Sequence, residues 1–192
     1  MTSNELVEGR NLIEHGGFSS GWQDTWTVEG SHLVREDSVT GKFYLQLNNE
    51  ATVRCSVDLP IAPAPDKKAL YWFSFSYEGL GARPSNVTIQ NESGDVIFDE
   101  AFMSRKSQDN SGTADPAPLA ELRPYPPIEL EGLLPTDKKI DLVVTAATGG
   151  SREGINVTDF KFDLRLAPLE LRSMLLDGRE ILPAVFSTSA VS

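Results

Sequence analysis

With 192 residues, 40% of them hydrophobic, the chain is long enough for one domain with a full core and short for two. Its 17 Lys and Arg stand against 28 Asp and Glu, and the net charge of -11 repels a phosphate backbone and an anionic membrane surface, so neither nucleic acid nor membrane is an expected partner. Cys55 is the only cysteine, which excludes an internal disulfide.

Residues 1–10 have no positive start followed by an apolar run, so they read as an N-terminal extension and not as a Sec signal peptide. Nowhere do about 18 apolar residues run together, as a transmembrane helix needs. The compartment expected by default is the cytoplasm, with export by a route that reads no N-terminal signal left open. The first patterned segment is Asn11-Leu12-Ile13-Glu14-His15-Gly16-Gly17-Phe18-Ser19-Ser20-Gly21-Trp22, with Trp26 four residues on: a strand, a glycine turn and an aromatic plug.

His32 to Val34 and Phe43 to Leu47 follow as short strands around a polar turn that contains Asp37 and Gly41. Thr52 to Leu59 alternates, with Cys55 on the face of Val53 and Val57, where a buried structural thiol is expected. Pro60 and the linker at 63–68 close it. From Leu70 to Tyr77 the alternation is strongest: Tyr71, Phe73, Phe75 and Tyr77 share the face that looks to the core, and Trp72, Ser74 and Ser76 share the other. Asn86 to Gln90 and Val96 to Phe98 flank Ser93-Gly94, a hairpin turn. Residues 104–135 are rich in Pro, Ser, Asp and Asn and read as one long loop. Lys139 to Thr145 and the run from Ile155 to Leu166 return to strand pattern. In the tail, apolar spacing from Leu169 to Leu182 allows a short helix, but Asp177-Gly178 between two apolar runs favours a terminal hairpin. The expected layout is an extension at 1–10, a β-sandwich at 11–168, and a hairpin with a frayed end at 169–192.

The opening block, the Tyr71–Tyr77 strand ending at Gly79 and the Ile155–Leu166 strand, in that order, resemble the carbohydrate-binding modules of the galactose-binding-like jelly-roll superfamily. The resemblance implies an all-β, antiparallel jelly-roll sandwich. It also implies a sugar site on a sheet face or in the loops at one edge, and frequently a structural calcium ion. Here the sequence departs from the family pattern: Ser19 and Ser20 follow Phe18 where an acid is usual, which leaves Asp159 as the one matching carboxylate. No other cofactor is expected.

Sugar recognition needs an aromatic platform and fixed polar groups for the hydroxyls. Trp22, Trp72 and Tyr125 are the candidate platforms, and Arg83, Gln90 and Asn91, with Gln46 and Asn48, are candidate polar partners. Each has a structural alternative, since Trp22 can pack under its loop and Trp72 under the tail. Catalysis has little to stand on. His15 and His32 belong to no metal spacing, no Gly-x-Ser-x-Gly or phosphate loop occurs, and adjacent acids such as Asp99 and Glu100 arise by chance among 28. The expectation is a non-catalytic, lectin-like glycan-recognition module. The rival is a protein-interaction or structural sandwich with no sugar ligand, and oligomeric state is not legible.

Overall fold

Period-two alternation sends one face of each strand into a shared interior and the other to solvent. In the computed structural model this produces, among the described residues, twelve strands: β1 (Trp26–Glu29), β2 (His32–Glu36), β3 (Phe43–Asn48), β4 (Thr52–Asp58), β5 (Lys67–Leu80), β6 (Ser85–Asn91), β7 (Val96–Phe102), β8 (Arg123–Glu129), β9 (Lys139–Thr145), β10 (Gly154–Pro168), β11 (Met174–Leu176) and β12 (Arg179–Ile181). The structure describes residues 11–60, 67–104, 122–134, 136–149, 153–168, 174–176 and 179–181. Two five-stranded antiparallel sheets, in the orders β1-β4-β9-β6-β7 and β2-β3-β10-β5-β8, face each other, and β11 pairs with β12 as a separate hairpin. This is the jelly-roll sandwich expected from the sequence. Among the described residues the only helix is a 3-10 turn at Trp22–Asp24.

The first sheet supplies Val53, Cys55, Val57, Ile89 and Leu142 to the interior, and the second supplies Leu45, Leu47, Phe73, Phe75, Phe162 and Leu164. In β10 the alternation changes phase. Ile155 and Val157 point inward, then the pairing with β5 shifts register between Thr158 and Lys161, and from there Phe160, Phe162 and Leu164 point inward. Asp159 takes up the extra residue in a left-handed conformation, φ 54°.

The opening block docks on this bulge. Phe160 N–H donates to the Gly16 carbonyl (3.1 Å), and the Phe160 carbonyl accepts from Asn11 Nδ2 (3.2 Å). Phe18 and Trp26 both contact the Phe160 ring, with centroids 6.1 and 5.1 Å away. The approach is so close that a Cβ on Gly16 would lie 2.2 Å from the Phe160 oxygen, so no side chain fits there.

The stretch at 104–135 does not form a single loop. Arg123–Glu129 is strand β8, although it holds Pro124, Pro126 and Pro127. It lies at the edge of its sheet, where a residue without an N–H costs no pairing on the solvent side. Residues 105–121 lie outside the described part, as do 1–10 and 182–192.

Two outcomes follow from this packing. Phe160→Ala should cost about 3–5 kcal/mol and Gly16→Ala about 1–3 kcal/mol of unfolding free energy in urea titrations, through cavity and overpacking respectively. Burial, with Asp141 and Glu14 nearby, pushes the Cys55 thiol up to about 12. The native protein should therefore not react with a thiol reagent such as DTNB at about pH 8, and should react fully once unfolded.

Candidate functional site

The outward positions of the second sheet carry its polar chemistry. In β3 these are Tyr44, Gln46 and Asn48, alternating with buried Leu45 and Leu47. In β10 they are Asn156 and Thr158 before the bulge, and Lys161, Asp163 and Arg165 after it. In β5 they are Trp72, Ser74, Ser76 and Glu78.

Register brings three of these into a row. Asn156 lies opposite Gln46 on one side and Glu78 on the other, at the inter-strand spacing of about 4.8 Å. Asn156 Nδ2 donates to Glu78 Oε2 (2.9 Å), and Gln46 Nε2 donates to Asn48 Oδ1 (3.0 Å). Asn156 is only 5% exposed, and its Oδ1 is buried without a hydrogen-bond partner. A buried acceptor left in that state is costly and is rare in folded proteins. Beside the row, burial pushes the Tyr44 phenol above its ordinary pKa; Arg35 opposes this, while the charges of Glu78 and Asp37 add to it.

At the end of the row Ser31, Gln46, Asn48 and Asn49 line an open pocket of about 480 Å³. Its rim is a strained turn in which Asn49 (φ 26°) and Glu50 (φ 65°) are both left-handed. The turn is held by Asn49 N–H to the Glu153 carbonyl (3.1 Å), Glu50 N–H to the Ala147 carbonyl (3.2 Å) and Gly149 N–H to Asn49 Oδ1 (3.0 Å). Among the described residues, the side chains lining the pocket are amides and a hydroxyl, so the wall both donates and accepts.

Trp72 lies on the same face, six residues from Glu78 in β5, which is roughly 20 Å along an extended strand. It is half-buried, the Arg165 guanidinium sits 4.7 Å from its ring centroid, and its Nε1 is buried without a partner. The Arg165 stack occupies indole surface that a sugar platform would offer.

The other residues proposed from the sequence fall elsewhere. Trp22 is buried, edge-on to Phe18, because left-handed Gly21 starts the 3-10 turn that rolls the indole under the loop; it presents no platform to solvent. Tyr125 faces the interior at the sheet edge, stacked on Phe75 at 5.1 Å with its hydroxyl donating to Glu100 (3.4 Å). Gln90 is on the outer face of the first sheet, opposite Asp141. Asn91 is buried and closes the β6–β7 turn by accepting from the Ser93 and Asp95 N–H groups (3.0 and 2.8 Å). Arg83 donates to the Thr148 carbonyl (3.0 Å) in the loop between β5 and β6. These six residues do not converge on one site.

Asp159, the carboxylate that the family resemblance matched to calcium, faces a cation instead of other acids. Its carboxylate is paired with Lys42 Nζ at 2.7 Å, and among the described residues no three His, Cys, Asp or Glu side chains are grouped to hold a metal ion. A hard divalent cation needs several oxygens and is disfavoured by an adjacent ammonium group.

No protein-family model matches the chain, and no curated protein matches it in sequence. Solved structures do. A family 61 carbohydrate-binding module, in complex with β-1,4-galactotriose, is 16% identical with a TM-score of 0.51, covering 81% of this chain and 99% of that one. A family 4 carbohydrate-binding module is 14% identical with a TM-score of 0.50, covering 80% and 99%. The chain has the jelly-roll fold of carbohydrate-binding modules. At these identities the likeness extends to the fold and does not assign a ligand.

Ser31, Tyr44, Asn49, Glu78 and Asn156 were not singled out from the sequence. Tyr44 adjoins buried Leu45, and Asn156 lies between buried Ile155 and Val157, so the outward direction of these two follows from alternation. Their meeting point requires the register of three strands. If the Arg165 stack shields Trp72 as described, Arg165→Gln should lower stability by about 0.5–1 kcal/mol and raise acrylamide quenching of the one indole that is not fully buried, measured by urea titration and fluorescence.

Proposed function

We propose that this chain is a non-catalytic glycan-binding module whose site is the outer face of the second sheet, from the pocket at Ser31 and Asn49 along Gln46, Asn156 and Glu78. The observation that carries this reading is the pocket at Ser31, Gln46, Asn48 and Asn49, continued across the sheet by Asn156, which lies opposite Gln46, donates to Glu78 and keeps a buried Oδ1 without a partner. A sugar hydroxyl is donor and acceptor at once, and a row of amide and carboxylate groups at strand spacing meets several hydroxyls without needing charge on the ligand. The jelly-roll fold, shared with sugar-binding modules, is compatible with a sheet-face site.

The electrostatics favour neutral glycans over acidic ones. Glu78 lies in the row and the chain carries a net charge of -11, so a uronic or sulfated sugar would meet repulsion. Glu78 is the single carboxylate of the row; of the two histidines, His15 lies in the opening block and His32 on the edge strand β2 beside Ser31, with its Nδ1 3.0 Å from the Gly30 carbonyl.

The test is a glycan array of neutral oligosaccharides, β-1,4-linked galactans among them, followed by calorimetry on the best ligand. Gln46→Ala, Asn156→Ala and Glu78→Gln should each weaken binding by about 5- to 12-fold, the loss of one hydrogen bond worth about 1–1.5 kcal/mol. Gln90→Ala, on the opposite sheet, should leave affinity unchanged. Loss of binding in Gln90→Ala with none in the three row variants would move the site off this face.

A further inference from the structure

The two edges of the second sheet differ in kind. The β8 edge carries Pro124, Pro126 and Pro127, which cannot donate to an added strand. The β2 edge, His32–Glu36, has neither proline nor bulge, all five residues are exposed, and no described strand pairs on its outer side. In the β2–β3 hairpin Leu33, Val34, Val39 and Phe43 are all exposed, Leu33 on the face of Gln46 and Val34 on the face of Leu45. An unprotected edge of this composition is a template for another strand.

We propose that β2 pairs antiparallel with β2 of a second copy of the chain, across a two-fold axis at Val34. Hydrogen-bond parity selects this register. Asn48 N–H donates to the Ser31 carbonyl and Asp37 N–H to the Lys42 carbonyl, so the odd-numbered residues of β2 face β3. In an antiparallel ladder the alternate residues, His32, Val34 and Glu36, then direct their N–H and C=O groups away from the sheet. Two such edges brought together about Val34 set Val34 against Val34, and His32 against Glu36 at both ends.

The neighbouring registers of the same parity oppose His32 to Val34 or Val34 to Glu36. They lose one of the three pairs and set the valine against a polar side chain. The selected register also covers the exposed valine with its own copy and places a carboxylate opposite an imidazole, the self-complementary pattern an isologous interface requires. The two five-stranded sheets become one continuous sheet of ten strands.

The experiment is sedimentation velocity and light scattering on the full chain over a concentration series. The wild type should show a concentration-dependent monomer–dimer equilibrium. Val34→Pro removes only an outward-facing N–H and should give a monomer with an unchanged circular-dichroism spectrum and melting curve. His32→Glu sets like charges opposite each other twice and should raise the dimer Kd at least about tenfold, a change of about 1.4 kcal/mol. The double variant His32→Glu/Glu36→Lys should restore dimerisation. A wild type that stays monomeric at every concentration leaves this edge to a strand from a different protein and overturns self-pairing. A dimer that survives Val34→Pro, or a double variant no better than the single one, overturns the register.

Discussion

The placement of every outward side chain on β10 depends on one inserted residue. With Asp159 left-handed, the strand gains a residue against β5, and the inward set changes from Ile155 and Val157 to Phe160, Phe162 and Leu164. A bulge leaves backbone groups without ladder partners, and burying them unpaired would be costly. Here both groups of Phe160 are satisfied by the opening block, its N–H by the Gly16 carbonyl and its carbonyl by the Asn11 amide. The aromatic plug then closes over the wedge: Phe160 meets Phe18, Trp26, Phe73 and Phe75 within one cluster. The opening block is thus a fold element first, and its tryptophans belong to the interior.

The same bulge divides the outer face of the second sheet into two chemistries. On one side of it stand Asn156 and Thr158 with Gln46 and Glu78, two amides, a hydroxyl and one carboxylate, of which Gln46 also lines the pocket. On the other stand Lys161, Asp163 and Arg165 beside Trp72, a charged surface that uses its arginine to cover the indole. The separation of roughly 20 Å between Trp72 and Glu78 means that a single short ligand does not bridge both. The recognition proposed for the amide end therefore rests on directional hydrogen bonds. The strained Asn49–Glu50 turn, pinned by three hydrogen bonds, keeps the pocket rim in place.

Local pattern was enough to read most strands from the chain, because alternation and turn residues act over a few positions. Thr52–Asp58, Lys139–Thr145 and the hairpin at Ser93-Gly94 needed nothing else, and even the phase change in β10 is visible as the break between Val157 and Phe160. Strand β8 was hidden because prolines argue against a strand unless one knows that it lies at an edge. The site was hidden for a different reason. Gln46, Glu78 and Asn156 come from distant parts of the sequence, and only the registers of β10 with β3 and β5 set them side by side. Aromatic residues drew attention instead, and packing claimed Trp22 and Tyr125. An aromatic side chain carries so much apolar area that burial is its first use.

A two-dimensional NMR titration of the isotopically labelled protein with a neutral β-linked oligosaccharide tests whether the outer face of the second sheet binds sugar. The side-chain amides of Gln46, Asn48 and Asn156 and the backbone amide of Glu78 should shift together along one saturable curve, while Gln90 and the outer face of the first sheet stay still. Saturable shifts confined to the first sheet, or none for any neutral glycan on the folded protein, would contradict a sugar site on the outer face of the second sheet.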